Sequence, residues 1–229
     1  MDLEVVHTAD SSLTLYNKVL DEHYHSVHGA RNESLHVFIK NGLEESSASP
    51  INIYEVGFGT GLNAMLAMEW AEKNKQKINY ITVEKYPIPK DLIKELSKQG
   101  NIDRGLYNRI HDKKCIDRVV SINEYADFQL IHADCKTLDL SPLPYFDLIF
   151  FDAFAPDKEV DDKGLWGMEH FQKIYNHTKV NGIFVTYCAK GAVRRSLAQV
   201  GFRMERLPGP VGKREMLRGR KLRVDEVIQ

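Results

Sequence analysis

Cysteine is scarce in this chain. The 229 residues include three, Cys115, Cys135 and Cys188. They lie far apart with no C-x-x-C pair, which argues against a structural zinc site or a disulfide framework. Long apolar runs are missing as well, so no stretch is a candidate membrane span. The N-terminal Met1-Asp2-Leu3-Glu4 has neither the basic start nor the apolar stretch of a secretory signal. A reducing cytoplasm is the expected setting. Charge of one sign is lacking too: 31 Lys and Arg stand against 32 Asp and Glu, a net charge of -1. Overall charge therefore neither favours nor excludes a polyanionic partner, and only its distribution can speak. No internal repeat or low-complexity segment occurs. What is present, 43% hydrophobic and 28% charged residues, suits a globular chain that can bury a core, as one large α/β domain or one domain with an elaboration.

The most informative stretch is Ile51-Asn52-Ile53-Tyr54-Glu55-Val56-Gly57-Phe58-Gly59-Thr60-Gly61-Leu62-Asn63. Ile51, Ile53, Tyr54 and Val56 read as a short buried strand. The glycines allow a tight turn with room for a ligand against the backbone. Leu62 to Glu72 reads as the following helix, whose N-terminal amides would face that ligand. A dinucleotide fingerprint is G-x-G-x-x-G, with its third glycine where this chain has Leu62. Here the order is G-x-G-x-G, preceded by the acid Glu55. That pattern resembles the cofactor loop of class I S-adenosylmethionine (SAM) methyltransferases. SAM carries an amino-acid group and a sulfonium but no pyrophosphate, so an acid rather than a phosphate cradle suits it. The resemblance implies cofactor contacts from Glu55, Gly57, Phe58, Gly59, Thr60, Gly61 and Asn63. The glycines alone are also compatible with a strand-to-helix turn and no ligand.

Residues 1–48 read as an N-terminal extension packing over the cofactor site, and 49–229 as the methyltransferase domain. Ser12 to Tyr16 and His36 to Ile39 are short strand candidates. His23, His25 and His28 between them are close enough to suggest a metal. No carboxylate pattern completes a site, so no metal is assigned and they read as polar loop residues over the pocket. Glu44 to Pro50 is a linker. Ile78 to Glu84 is an alternating strand whose terminal Glu84 is placed for ribose hydroxyls; a surface acid at a strand end is the plainer alternative. Asp91 to Gln99 reads as a helix, and residues 100–116 as helical in part. Asp117 to Asn123 and Phe128 to His132 read as strands, with Asp134 beyond the second placed for the adenine amino group and Cys135 as a small buried residue.

Phe146-Asp147-Leu148-Ile149-Phe150-Phe151 reads as a central strand of a parallel sheet. It runs into Asp152-Ala153-Phe154-Ala155-Pro156. Active crevices of open α/β sheets lie at the carboxyl ends of strands, so Asp152 and Phe154 belong beside the glycine loop. Gly164 to Lys179 is predicted as a helix, with Leu165, Met168, Phe171, Ile174 and Tyr175 facing the core and Trp166 lining a pocket. Asn181-Gly182 opens a strand at Ile183 to Cys188, Gly191 to Val200 is a helix, and Phe202 to Leu207 with Glu215 to Leu217 forms a closing hairpin around Pro208 to Gly212. This alternation predicts an α/β fold with a doubly wound, mainly parallel, Rossmann-like sheet, a C-terminal antiparallel hairpin and a small N-terminal β-containing extension.

With these stretches in hand, the chain resembles the methyltransferase component of the bacterial tRNA 5-methylaminomethyl-2-thiouridine biosynthesis enzymes, from about Thr14 to Gly219. Its specific pieces are Glu55 to Asn63, Phe151 to Pro156, Val193-Arg194-Arg195 and Gly212-Lys213-Arg214-Glu215-Met216-Leu217, with Tyr24-His25-Ser26 and Gly29-Ala30 resembling the stand-alone branch. Ala153 stands where the family often has glycine. The family joins this component to an FAD-dependent oxidoreductase domain. No second nucleotide fingerprint precedes Gln229, so that activity is expected to be absent.

The resemblance implies a cytoplasmic tRNA-modification transferase: SAM-dependent N-methylation of the exocyclic amine of 5-aminomethyl(-2-thio)uridine at the wobble position, with the tRNA anticodon region as partner and a monomer expected. An alkyl ammonium is nucleophilic only after losing a proton, and its reference pKa lies about three units above neutrality. Asp152 can accept an N–H hydrogen bond or that proton, or else serve only as a helix cap or SAM contact. Phe154 offers a ring for a splayed pyrimidine, and the backbone near Ala155 and Pro156 offers carbonyls. Arg194, Arg195, Arg203, Arg206, Lys213, Arg214, Arg218, Arg220, Lys221 and Arg223 crowd the C-terminal stretch. Arg194, Arg195, Lys213 and Arg214 are the expected RNA contacts; a solvated hairpin face is the bland reading. The competing functions are a small-molecule methyltransferase or aminopropyltransferase of the same fold, disfavoured by the basic tail, and a non-catalytic nucleic-acid module, disfavoured by intact Glu55, Gly57, Gly59, Glu84 and Asp152.

Overall fold

The segment from Phe146 to Phe151 is apolar except for Asp147, and such a strand must be covered on both faces. The computed structural model, which describes residues 2–100, 102–156 and 163–223, shows how. The chain opens with an antiparallel sheet of β1 (Leu3–His7), β2 (Leu13–Asn17) and β3 (Glu22–His23). Helix α1 (Ala30–Ser34) runs directly into a wider π-type turn at Leu35–Lys40. The large sheet contains β4 (Ile51–Val56), β5 (Ile78–Glu84), β6 (Val120–Asn123), β7 (Ala126–His132), β8 (Phe146–Phe151), β9 (Thr178–Thr186), β10 (Arg203–Pro208) and β11 (Glu215–Arg220). The remaining helices are α2 (Leu62–Asn74), α3 (Lys90–Leu96), α4 (Arg104–Ile110), α5 (Met168–His177) and α6 (Gly191–Gln199).

The large sheet has the order β10-β11-β9-β8-β4-β5-β7-β6. Strands β9, β8, β4, β5 and β7 pair in parallel, whereas β6 joins β7 antiparallel, and β11 is antiparallel to both β9 and β10. Period-two alternation divides the core between the two faces. Ile53, Leu148 and Phe150 pack with Met65 of α2 and with Phe38. Tyr54, Ile149 and Phe151 pack with Phe171 of α5 and Leu197 of α6. The chain leaves β4 towards β5 and β7, then returns to the other side of β4 for β8 and β9. That reversal leaves the connections from β4 and β8 on opposite faces, opening a crevice at their carboxyl ends.

Several predicted elements shift. His36 to Ile39 is helical: Val37, Phe38 and Ile39 are all buried, and a short β-branched, aromatic run has no period that separates a buried turn from a strand. Strand β1 had no sequence signal of its own. The helix expected over 164–179 starts only at Met168 and ends at His177, where β9 begins without a break. Trp166 is 4% exposed and packs on Phe151, its Nε1 donating to the Phe154 carbonyl at 2.7 Å; it is a core residue. The three histidines part company. His25 is buried with Nδ1 3.0 Å from Thr14 Oγ1, His23 packs at a tilt against Tyr16, and His28 lies against Gly212. Among the described residues no helix is long and apolar enough to cross a membrane.

The N-terminal segment shares the main core rather than standing apart. Phe38 is 1% exposed and its ring lies 5.1 Å from that of Phe150 on β8. Phe38→Ala should destabilise the chain by about 3–5 kcal/mol, the usual cost of emptying a buried phenylalanine site, within one cooperative unfolding transition. Calorimetry that resolves a separate, unshifted transition for the remainder of the chain would show that segment 1–48 folds independently.

Candidate active site

The tips of β4 and β8 touch. Gly57 has φ 92°, and a Cβ there would lie 2.6 Å from the Asp152 carbonyl oxygen, so any side chain would force the two strand ends apart. The ladder continues into both loops: Gly57 N donates to the Val83 carbonyl at 3.1 Å and Asp152 N to the Val56 carbonyl at 3.0 Å. These tips border a cavity of about 560 Å³, a size suited to a small-molecule ligand. Strand ends supply Val56, Gly57, Gly59, Val83, Glu84, Ala133, Asp134, Asp152, Phe154 and Tyr187, and the N-terminal segment supplies Asn17, Val19, Leu20 and Tyr24. Tyr24 meets Phe154 edge to face at 5.0 Å between ring centres.

Among the expected cofactor residues, Gly57, Gly59, Glu84, Asp134 and Asp152 line the cavity, whereas Glu55, Phe58, Thr60, Gly61 and Asn63 do not. The pleat explains Glu55. On β4 it shares the face of Ile53, under α2, and is 0% exposed. Phe58 turns inward against Phe128 and His111, and the Thr60 carbonyl accepts from Tyr107 Oη at 2.8 Å. Glu84 accepts from Gly59 N at 3.0 Å and Tyr86 N at 2.7 Å, stiffening the glycine loop. Asp134 pairs with Lys85 at 3.0 Å and accepts from Lys136 N, and these hydrogen bonds and charges hold its carboxyl below the ordinary value despite partial burial. Pro156 lies off the cavity, its carbonyl already accepting from Lys190 Nζ.

Asn63, on the first turn of α2, joins the buried carboxyls. Its Nδ2 donates to Glu55 Oε1 at 3.1 Å and to Asp152 Oδ2 at 2.7 Å. Burial pushes Glu55 up to about 8, further raised by the Asp152 charge, and only partly offset by the neighbouring Thr82, Asn63 and Tyr80 side chains. The Thr82 and Tyr80 hydroxyls lie beside it without closing hydrogen bonds of normal geometry, and Glu55 Oε2 has no partner. Burial, then the nearby Glu33 charge, pushes Asp152 up to about 7, opposed by the Asn63 hydrogen bond and the Lys213 ammonium. Of the two, Asp152 faces the cavity and ionises first.

Tyr24 and Tyr187 were missed as site residues. Tyr187 follows the last residue of β9 and so obeys the strand-tip rule that picked out Asp152; Tyr24 has no such signal. Tyr187 Oη donates to the Ala153 carbonyl at 2.9 Å, and Lys213 Nζ lies 3.8 Å from the Tyr187 ring centre while pairing with Glu33. Lys213 is thus neutralised beside the site and is not a free phosphate contact as expected. Much of the basic tail is similarly engaged. Arg206 pairs with Glu215, Arg218 with Glu45 and Glu205, and Arg220 with Glu45, while Lys221 donates to the Tyr175 and Thr178 carbonyls. Arg195, Arg203, Arg214 and Arg223 are exposed without ion pairs among the described residues, and Arg194 is half-buried with Nε unpartnered.

A sheet that reverses direction at β4 and β8, with a glycine loop and acidic strand tips around one cavity, defines a nucleotide-type cofactor-binding α/β protein. The sequence model of a family described as S-adenosyl-L-methionine-dependent methyltransferase matches residues 98–222, and the chain belongs to that family. It is 30% identical over 221 residues to the tRNA 5-methylaminomethyl-2-thiouridine biosynthesis bifunctional protein MnmC of Pseudomonas fluorescens, covering 89% of this chain and 32% of that protein. The MnmC of Leptospira borgpetersenii is 30% identical over 227 residues, covering 92% of this chain and 34% of that protein. The chain therefore spans about a third of the length of these curated relatives. The crystal structure of MnmC2 from Aquifex aeolicus superposes with TM-score 0.75 at 25% identity, over 97% of this chain and 72% of that one. Streptomyces venezuelae DesVI shares the fold, with TM-score 0.51 at 10% identity over 82% of this chain and 90% of that one. The cofactor of this chain is SAM, and the cavity fits it: an opening at a loop that has no room for a side chain at Gly57, with the carboxyls of Glu84, Asp134 and Asp152 and apolar strand ends on its walls.

The raised carboxyls make stability depend on pH. Glu55 holds its proton in the folded chain up to about 8, against an ordinary 4.5. The folded state therefore binds more protons than the unfolded state across that window, and its stability falls as pH rises through it. Glu55→Gln, which keeps an acceptor for Asn63, should flatten this fall. Its melting temperature should exceed wild type by at least about 2 °C at alkaline pH and match or trail it near pH 5. Parallel melting curves across the series would mean that Glu55 is ionised in the fold.

Proposed function

We propose that this protein transfers a methyl group from SAM to the exocyclic primary amine of 5-aminomethyl(-2-thio)uridine at the wobble position of tRNA, in the cytoplasm. The observation that carries the reading is Asp152: a carboxyl at the cavity wall, beside Phe154 and Tyr187, that titrates near 7. Such a group exchanges protons with an incoming ammonium at neutral pH, as a catalytic base should. The names of the relatives, which place them in tRNA 5-methylaminomethyl-2-thiouridine biosynthesis, support the choice of acceptor.

Bound SAM supplies an electrophilic methyl on its sulfonium. Glu84 offers acceptors to ribose hydroxyls and Asp134 to the adenine amino group, both from strand tips on the cavity wall. The backbone at Gly57 and Gly59, which has no side chain on the cavity wall, would take the amino-acid end. Asn63 holds Asp152 by its Oδ2, leaving Oδ1 to accept a proton from the substrate ammonium. The neutral amine would then attack the methyl carbon as the C–S bond breaks and the thioether S-adenosylhomocysteine leaves, and Asp152, once it has passed its first proton to solvent, could take the one shed by the methylated amine. Phe154 and Tyr24 present rings against which a splayed base can lie. Segment 1–48 acts as the cover of this site.

Two measurements test this. Purified protein with SAM should convert tRNA bearing 5-aminomethyl-2-thiouridine to the methylaminomethyl form, read by nucleoside mass spectrometry; transfer only to small free amines would sink the tRNA assignment. Asp152→Asn should slow single-turnover methylation by about two to four orders of magnitude with far smaller changes in SAM and tRNA affinity. The wild-type rate should rise as pH passes about 7, where Asp152 loses its proton. The variant should lack that inflection and be partly rescued at high pH. Loss of SAM binding in the variant, with the rate restored at saturating SAM, would make Asp152 a cofactor ligand instead.

A further inference from the structure

With much of the tail charge engaged, a second group of cations stands out elsewhere in the fold. A second concavity, about 450 Å³, is bounded by Lys90, Lys94, Lys98 and Arg104, with His111 at its inner wall and no carboxylate among its lining residues. Lys90 and Lys94 fall one turn apart on α3. Lys98 extends the row into the following turn, where Ser97 keeps helical dihedrals (φ -66, ψ -10). All three lysines are exposed, and among the described residues no ion pair engages any of them. Arg104 spends one N–H on the Ser97 carbonyl at 3.0 Å, which fixes its side chain at the groove. Asp91 and Glu95 lie on the same helix but do not line the groove.

The groove is tied to the cofactor loop. Its His111 ring packs on Phe58 at 5.1 Å between centres, and Tyr107 of α4 donates to the Thr60 carbonyl. At its other end it approaches the cavity mouth. Tyr86 lines the cavity and Lys90 the groove, four residues apart and so separated by no more than about 14 Å of chain. Helix α3 follows β5 from the carboxyl edge of the sheet, so the row of lysines begins within that tether of the active site.

We propose that this groove docks the phosphodiester backbone of the RNA substrate, holding it beside the cofactor cavity. The inference rests on the tRNA reading given above. A row of cations about 6 Å apart per helical turn suits a chain of repeated anions. A single phosphate or nucleotide would call for a closed cradle of convergent donors, and this site is open.

The test uses the full chain with Lys90→Gln, Lys94→Gln and Lys98→Gln combined. The sites are exposed and glutamine is a good helix former, so circular dichroism and SAM calorimetry should match wild type. Binding of unmodified tRNA, followed by anisotropy over a salt series, should lose about 2 to 3 units of log–log slope and weaken on the order of tenfold or more at physiological salt. KM for tRNA should rise while the rate at saturating tRNA holds. A control removes three unpaired lysines away from the groove: Lys40→Gln, Lys73→Gln and Lys75→Gln. If wild type methylates tRNA but the groove variant keeps its affinity and slope, or falls no further than the control, the groove proposal is overturned and the function stands. Retention on anionic phospholipid vesicles that the variant abolishes, with tRNA binding unchanged, also overturns it in favour of a membrane surface. If wild type neither binds nor methylates tRNA, both readings fall together.

Discussion

One amide holds the two halves of the site together. Asn63 Nδ2 has two hydrogens, and it gives one to Glu55 on β4 and one to Asp152 after β8. The sheet reverses between those two strands, so this side chain closes the crevice that the topology opens. It also limits the charge the crevice can carry. Two carboxyls sharing a donor in a buried setting cannot both ionise without strong repulsion. Glu55, fully enclosed, keeps its proton up to about 8, and Asp152, open to the cavity, gives its proton up near 7. A neutral Glu55 behind Asn63 leaves Asp152 as the member of this pair on which negative charge appears near neutral pH. Environments that push paired titratable groups apart in this way are a common means of assigning one acid and one base from the same side-chain chemistry.

The cover of the cavity depends on the N-terminal segment, whose attachment is apolar. Phe38, Ile39 and Leu43 belong to the same buried cluster as Met65, Tyr80 and Phe150. Segment 1–48 is therefore held by the main core, and Tyr24, Asn17, Val19 and Leu20 arrive over the cavity on a fixed base. Val19 and Leu20 remain 74% and 54% exposed at the rim. Apolar side chains left in solvent at a cavity mouth suit a lip that contacts an incoming ligand.

The central sheet was largely legible in the sequence because its signals are local and strong. The glycine run after Val56, the strand ending at Glu84 and the apolar strand before Asp152 each carry their own punctuation. The strand-tip rule then placed Gly57, Glu84, Asp134 and Asp152 around one cavity. The failures came where the deciding partner is distant in sequence. Glu55 looked like a ligand contact until the pleat turned it under α2. His36 to Ile39 looked like a strand until the core required a helix there. Tyr24 could not be assigned at all, because its position depends on how β2 and β3 fold over a loop more than thirty residues further on.

Charge shows the same limit from the other side. Counting cations identified the C-terminal stretch as basic, and so it is, but Glu33, Glu45, Glu205 and Glu215 meet it from four places in the fold. Arg218, with a side chain 12% exposed, bridges Glu45 and Glu205, and Lys213 joins Glu33 above Tyr187. Ion pairs that are partly buried add little net stability, because desolvation offsets the attraction. They do select one arrangement, since a displaced hairpin would leave carboxylates and cations buried apart. Strand β11 lies between β9 and β10 with no covalent constraint on its register beyond the turn at Pro208 to Gly212. Pairing Arg218 and Arg220 with Glu45, and Lys213 with Glu33, fixes that register against the N-terminal segment, and the Arg218 pair with Glu205 fixes it against β10. The consequence reaches the chemistry through Tyr187, which Lys213 covers and whose hydroxyl grips the carbonyl next to Asp152. The tail's cations thus hold the wall of the cavity in place, and the charge free to meet a polyanion is what such pairing leaves over.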